Sequence, residues 1–258
     1  MGGVVPDTTR LIARSPDEHR RRGIDVQIRH QVTAIEPEAG SVTVRDLESG
    51  AERREGYDEL MVATGAVPIR PDLPGAGATG IFGVQVLEDG LALRRLLASD
   101  DAPRRAVVIG AGYIGLEIAE AMVQRGLEVA LVDQAPQPMS TLDPDMGALV
   151  ADGLRAIGVA LHLGAAVEGY DTNGKAVSAV VTSGATHPAD VVILGLGVRP
   201  NTALAEAGGI PVGPSGGLAV DQRMHARCPA VWAAGDCVEV HHRVSRRPTT
   251  IALGTHAN

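Results

Sequence analysis

Four residues carry the most legible chemistry in this chain. Gly110, Gly112 and Gly115 stand in G-x-G-x-x-G spacing within "GAGYIG", and Asp133 follows 23 residues after Gly110. The spacing alone is weak. Its context is strong, because the apolar "AVVIG" precedes it, a helical pattern opens on it, and Asp133 ends the next apolar run. In such a turn the first glycine allows the sharp reversal. The second removes a Cβ so that backbone can approach a pyrophosphate, and the third lets helix and strand pack closely. The helix N-terminus, with Tyr113, Ile114 and Gly115 in its first turn, offers free N–H groups and a partial positive charge to phosphate. A carboxylate at Asp133 would accept hydrogen bonds from the adenosine ribose hydroxyls. No Arg or Lys lies between Asp133 and Asp152 to receive a 2′-phosphate, so NADH is expected over NADPH.

Other reactive types are poorly placed. Cys228 and Cys237 are nine residues apart, in neither C-x-x-C nor C-x4-C spacing. The neighbours of Cys237, Asp236 and Glu239, are acidic, the reverse of the electropositive setting a reactive thiolate needs. Neither cysteine is expected to be catalytic. His241 and His242 have no third ligand at metal-site spacing, so no metal site is predicted.

The elements that must position the glycine turn follow from periodicity. "AVVIG", "LEVALVDQ" and "VALHLG" read as buried strands, with "YIGLEIAEAMVQRG" and "DPDMGALVADGLRAIG" as helices between them. Strand–helix–strand–helix–strand predicts an α/β fold with a parallel, doubly wound sheet. Before it, "PDEHRRRG" reads as a helix closing at Gly23, and "EDGLALRRLLASDDAP" as another after Pro-rich punctuation at Pro68, Pro71 and Pro74. A three-stranded meander is expected from Ile24–Glu36, "SVTVRDLESG" and "YDELMVATG". A second is expected from "AAVEGYD", "AVSAVVTSG" and "ADVVILGLG".

The two meanders share a pattern. Asp58, Gly65 and Pro68 match Asp190, Gly197 and Pro200, each 132 residues apart, and Ile35 against Val167 keeps the interval. An internal duplication follows. Gly110 precedes Gly197 by 87 residues, so a fingerprint for the first copy would fall before residue 1; "MGGVVPD" does not supply one. The chain is therefore expected to be an internal piece of a longer protein. The expected domains are 103–217, a complete Rossmann-like dinucleotide-binding domain, inserted in a second, incomplete domain made of 1–102 and the return segment 218–258.

Bulk properties narrow the class. The 258 residues are 45% hydrophobic and 2% aromatic, so the core must be aliphatic. A net charge of −8 argues against a nucleic-acid partner or an anionic membrane. The longest apolar run, "VVILGLGV", is too short to span a bilayer. Two cysteines fit a reducing compartment, and a cytoplasmic location is expected.

"VVIGAGYIGLEIAEAMVQRGLEVALVD", "ATGAVPIRPDLPG", "GVRPN" and "VWAAGDCVEV", in this order, resemble the FAD-dependent pyridine nucleotide-disulfide oxidoreductases. Within them the chain is most similar to the coenzyme A-disulfide reductase, NADH oxidase and NADH peroxidase branch, which "IALGTHAN" also resembles. The resemblance implies the two-dinucleotide-binding-domain flavoprotein fold, with NAD(P)H bound by 103–217 and FAD by 1–102 and 218–258. It implies that Ala63, Thr64 and Gly65 line the junction of the FAD and NADH domains, and that Asp236 bonds the ribityl or pyrophosphate part of FAD. Tyr113 resembles an aromatic gate that nicotinamide displaces from the flavin, Glu117 an acid near both rings, and the Gly197 backbone a nicotinamide neighbour. The implied activity is hydride transfer from NADH to FAD and on to a disulfide such as coenzyme A disulfide. Oxygen or peroxide as acceptor, or a non-catalytic dinucleotide-binding module, are the alternatives. A small-molecule substrate and a homodimeric full-length parent are implied. The family's N-terminal FAD fingerprint, its redox cysteine and its C-terminal interface domain have no counterpart here, so the isolated chain is expected to be inactive.

Overall fold

A computed structural model describes residues 7–252. The "MGGVVPD" segment up to Pro6 and the end of "IALGTHAN" lie outside the described residues. The chain divides into two compact units, one built from Pro68–Gly197 and the other from Thr8–Val67 with Val198 onward. By their internal contacts the units change over at 67/68 and 197/198. The Pro-rich stretch and the helix after it pack with the glycine-turn unit.

In chain order, α1 (Pro16–Arg20) is followed by β1 (His30–Glu36), β2 (Ser41–Asp46), β3 (Glu52–Gly56), β4 (Leu60–Val62), β5 (Ala66–Pro68) and β6 (Ile81–Gly83). Next come α2 (Leu87–Leu97), β7 (Arg105–Ile109), α3 (Tyr113–Gln124), β8 (Glu128–Asp133), α4 (Pro144–Ala156) and β9 (Ala160–Leu163). Then follow β10 (Val167–Asn173), β11 (Ala176–Thr182), β12 (Thr186–Pro188), β13 (Val191–Leu194) and β14 (Val198–Pro200). The last are α5 (Ala203–Ala207), β15 (Leu218–Ala219), β16 (Val231–Ala233), β17 (Val238–His241) and β18 (Pro248–Thr249).

The first unit is organised by a five-stranded parallel sheet in the order β6-β13-β7-β8-β9. Its central strands are apolar throughout because both faces are covered. Ala106, Val108, Leu131 and Ile193 point to one face, against Leu93 of α2, Ile118 and Met122 of α3, and Leu154 of α4. Val107, Ile109, Val132 and Val192 point to the other, against Tyr170, Val177 and Val180 of the β10-β11-β12 meander. The sheet is thus not doubly wound as expected: helices cover one face and an antiparallel sheet the other. A continuous apolar run reports that both faces are buried, not what buries them. α3 ends where Gly126 takes φ 80, and α4 starts at Asp143 with Pro144 in its first turn, a position where proline's missing N–H costs nothing.

The second unit holds the β1-β2-β3 meander, the parallel pair β4–β16, and the β15-β17-β18 sheet. Ile35, Val62, Ala205, Ile210, Leu218, Val231, Ala233 and Val238 form its core. α1 begins in a capping box: Glu18 N–H donates to Ser15 Oγ at 3.3 Å, and Ser15 N–H donates to Glu18 Oε2 at 2.6 Å.

Three expectations need correction. The strand expected over Ile24–Glu36 begins at His30, because Arg29 takes φ 59 and turns the chain. Ile24 and Ile28 are exposed, so their alternation marks no buried face. In the first meander the third strand is the polar Glu52–Gly56, while Leu60–Val62 leaves it to pair in parallel with Val231–Ala233. In the second, the third strand is Thr186–Pro188, and Val191–Leu194 enters the parallel sheet. The same displacement occurs in both copies. The series meander, parallel strand, short strand recurs, with β5 and β14 132 residues apart as the duplication predicts. Ile35 and Val167 are not equivalent, since one is near the end of β1 and the other opens β10.

Candidate functional site

The glycine turn sits where β7 passes into α3. Gly110 has φ 103, and a Cβ on it would lie 2.5 Å from the Gly195 carbonyl oxygen. A Cβ on Gly115 would lie 1.8 Å from the Gly110 carbonyl oxygen, and one on Gly195 would lie 2.9 Å from Gly115 Cα. Three glycine backbones thus pack where side chains cannot fit. Gly112 differs. Its backbone is extended, at φ −86 and ψ −173, and a Cβ there would meet nothing within 4 Å. Only a ligand needs that space clear. Gly112 is also the N-cap of α3, and no side chain caps the helix. Its first N–H groups are left to water or to an anion.

Strand order reverses between β7 and β13, the point where open α/β sheets bind ligands. A cleft of ≈ 680 Å³ opens there, within the range of small-molecule sites. Gly110, Gly112, Tyr113, Ile114, Asp133 and Gly197 all line it. Ala111 N–H donates to Asp133 Oδ2 at 2.6 Å and Ala135 N–H to Oδ1 at 2.7 Å. Each carboxylate oxygen keeps capacity to accept again, from a ribose hydroxyl among others. Tyr113 is 71% exposed at the mouth. Among the described residues no Lys or Arg lines the cleft. Gly115 and Glu117 are not among the lining residues: Gly115 is buried beneath Gly110, and Glu117 lies exposed on α3. These features fit a dinucleotide whose pyrophosphate rests on α3.

The opposite wall escaped the sequence reading. Ile69, Pro71 and Leu73 form part of it, with Tyr170 of the meander behind them. Pro74 and Tyr170 meet backbone to backbone, Tyr170 N–H donating to the Pro74 carbonyl at 2.8 Å. A Cβ on Gly75 would lie 2.2 Å from the Tyr170 carbonyl oxygen. Glycine at φ 80 permits that approach, and "PGAG" was its only sequence signal. Burial pushes the Tyr170 phenol up from its ordinary value. Gly195 also went unnoticed, although "LGLG" carries it.

The remaining predicted residues belong to the second unit. β4 is followed directly by Ala63–Thr64–Gly65, and its parallel neighbour β16 by Ala234–Gly235–Asp236. Gly65 takes φ 67 with open space beside it. Thr64 Oγ1 donates to the Asn201 carbonyl at 2.6 Å, and Asn201 N–H donates to the Gly65 carbonyl at 2.9 Å. Asp236 is half-buried, and its carboxylate accepts no hydrogen bond from the described residues. A strand-end carboxylate with free acceptors suits a polyol such as the ribityl chain of FAD, so these residues fit that group.

Cys237 is fully buried, its thiol directed at the Ala234 carbonyl at 3.3 Å and the Val62 carbonyl at 3.6 Å; Cys228 is half-buried. His242 Nδ1 receives the Ser245 N–H at 3.1 Å. Among the described residues no group of three or more His, Cys, Asp or Glu could hold a metal, and no helix is long and apolar enough to cross a membrane.

Comparison with known proteins places this geometry. The family described as pyridine nucleotide-disulphide oxidoreductase matches residues 5–256. An NADH oxidase of Methanocaldococcus jannaschii is 34% identical over 257 residues, 99% of this chain and 56% of that protein. The structure of reduced Bacillus anthracis CoADR-RHD superposes with a TM-score of 0.95 at 30% identity, over 100% of this chain and 46% of that one. The water-forming NADH oxidase of Lactobacillus brevis, bound to NADH, gives 0.92 at 34% identity, over 99% and 56%. The chain spans about half the length of these relatives. It belongs to the pyridine nucleotide-disulphide oxidoreductase family, whose members are FAD-dependent NAD(P)H oxidoreductases of α/β, two-dinucleotide-binding-domain fold.

Proposed function

We propose that the cleft of the first unit binds NADH and that the whole protein passes its hydride by way of FAD to a disulfide-type acceptor such as coenzyme A disulfide. The observation that carries the dinucleotide reading is Gly112: it is open in the fold, stands at an uncapped helix N-terminus, and needs its missing Cβ only if backbone must approach a ligand. The pyrophosphate accepts hydrogen bonds from the N–H groups at the start of α3. Asp133 receives the adenosine ribose hydroxyls, and the absence of lining cations favours NADH over NADPH. Tyr113 serves as the gate over the flavin and swings aside for nicotinamide. Glu117 acts beside it, and the Gly197 backbone bounds the nicotinamide end. Ala63, Thr64, Gly65 and Asp236 hold FAD. When both cofactors are bound, the redox chemistry is theirs, the electron pair leaving nicotinamide as hydride for the isoalloxazine. The residues named here bind, orient and exclude water.

Neither cysteine fits the role of redox thiol, since Cys237 is sealed in the core. The isolated chain therefore consumes no NADH by itself. An NADH oxidase or peroxidase reaction with oxygen or peroxide is the second reading, favoured by relatives described as NADH oxidases. The full-length protein acts as a homodimer on a small molecule in the cytoplasm. The expected segments are an FAD-binding region up to 102, an NADH-binding region at 103–217, and a return to the first at 218–258. Steady-state NADH consumption by the full-length protein tests the acceptor. Turnover with coenzyme A disulfide under argon supports the disulfide reading. Turnover only when oxygen or peroxide is supplied overturns it in favour of the second.

A further inference from the structure

One residue near the cleft breaks a backbone rule without a visible local reason. Met139 is 7% exposed and takes φ 51, in the left-handed region that residues with a side chain rarely adopt. Such strain persists only where the surroundings over-determine it, and it clusters at functional sites. The surroundings here are specific. Met139 N–H donates to the Ala111 carbonyl at 2.8 Å, and its own carbonyl accepts Leu142 N–H at 2.8 Å. Ala111, 2% exposed, is the single residue between Gly110 and Gly112. Its N–H is held by Asp133 Oδ2 at 2.6 Å. The N–H of that residue is thus fixed by the last residue of β8, and its carbonyl by the segment that follows. The segment is braced in turn: Gln137 Nε2 donates to the Leu142 carbonyl at 2.9 Å, and Gly147 of α4 makes room, since a Cβ on it would lie 2.6 Å from Gln137 Nε2.

We propose that Met139 is a positioning residue for the pyrophosphate-binding turn: its left-handed backbone and the Asp133 carboxylate clamp Ala111 from both sides, so that Gly112 and the first N–H groups of α3 stand in their binding geometry before the dinucleotide arrives. The inference rests on the dinucleotide reading and adds to it. Asp133 acts on the phosphate turn as well as on the ribose, and the loop Gln134–Leu142, which is not part of the fingerprint, sets part of the affinity. Pre-organisation raises affinity because the ordering cost is met during folding rather than during binding.

The test uses the full 258-residue chain and two ligands, ADP and adenosine, each competing with NADH fluorescence. Replacing the amide of residue 139 by an ester, with the methionine side chain retained, removes the N–H that reaches Ala111; it also weakens the Pro138 carbonyl, which accepts no backbone hydrogen bond among the described residues. The proposal expects ADP to weaken about tenfold, near the upper range of one net hydrogen bond, with adenosine changed less than about twofold. Met139→Gly keeps the N–H and relieves the strain, so ADP affinity should stay within about threefold of the parent. An ester variant that binds ADP as the parent does, or that loses ADP and adenosine equally, overturns the proposal and leaves the dinucleotide reading intact. A parent chain that binds neither NADH nor ADP overturns both.

Discussion

The glycines of the turn make opposite predictions under the same substitution. In Gly115→Ala the new Cβ starts 1.8 Å from the Gly110 carbonyl oxygen, where ordinary contact begins near 3.4 Å. The obstacle is backbone, with Gly110 N–H bonded to the Val132 carbonyl at 2.8 Å and Gly115 fixed within α3, so no side chain can swing away. Overpacking of that kind costs about 1–3 kcal/mol or more. For a chain of this size that is a fall in Tm of roughly 2–12 °C. In Gly112→Ala the Cβ enters open space on an extended backbone that alanine accepts. Reduced freedom of the unfolded chain, about 0.4–1 kcal/mol, is offset by alanine's poorer fit at an N-cap, so that variant melts close to the parent. The cost falls on the ligand. A methyl group at the N-cap holds the pyrophosphate off the α3 N–H groups, and losing one charge-assisted bond costs about 1.5–3 kcal/mol, roughly 10- to 150-fold in Kd. Thermal melts and NADH fluorescence titrations of both variants separate the two effects. A Gly112→Ala protein that melts like the parent and binds NADH equally well would refute the argument that this glycine is spared for a pyrophosphate.

Three further outcomes follow from other parts of the fold. The Arg105 guanidinium, at 2.7 Å, and the backbone N–H groups of Arg104 and Arg105 hold the Asp190 carboxyl below its ordinary value against the opposing effect of burial. Its stabilising contribution is complete above the unfolded value near 3.8 and is lost as pH falls through the lower folded value, so Asp190→Ala should cost about 1–2 kcal/mol at neutral pH and flatten the acid limb of a urea-denaturation series. Burial, and then the neighbouring His162 ring at 4.2 Å, lower the His187 pKa below 6.5, so the unfolded chain takes up the proton first and stability should decline as pH drops below about 6.5; His187→Gln should reduce that slope. Ala230 takes φ 56 ahead of β16, so Ala230→Gly should raise stability by about 0.5–1 kcal/mol, read as a later midpoint in the same denaturation.

What the sequence made legible was local. The turn could be read because Gly115 answers to Gly110 five residues away, and because apolar strands flank the spacing. The two third strands of the meanders could not. "ERREG" is almost wholly polar and "THP" is three residues long, so neither shows the alternation that marks a strand, while the apolar runs after them, "LMV" and "VVIL", drew the assignment instead. Ile24 and Ile28 alternate with polar residues yet face solvent, because Arg29 turns the chain before any sheet begins. The far wall of the cleft joins residues about 100 positions apart, Pro71 and Tyr170, and only the Gly75 backbone records their approach. Met139 gave no signal at all, since a left-handed methionine looks like any other in a sequence.

The most direct test of the account is a crystal structure of the chain soaked with NADH. The account predicts a pyrophosphate oxygen within about 2.7–3.2 Å of backbone N–H groups at the start of α3 and a ribose hydroxyl on Asp133. Nucleotide density elsewhere on the molecule, or none in this cleft at saturating NADH, would contradict it.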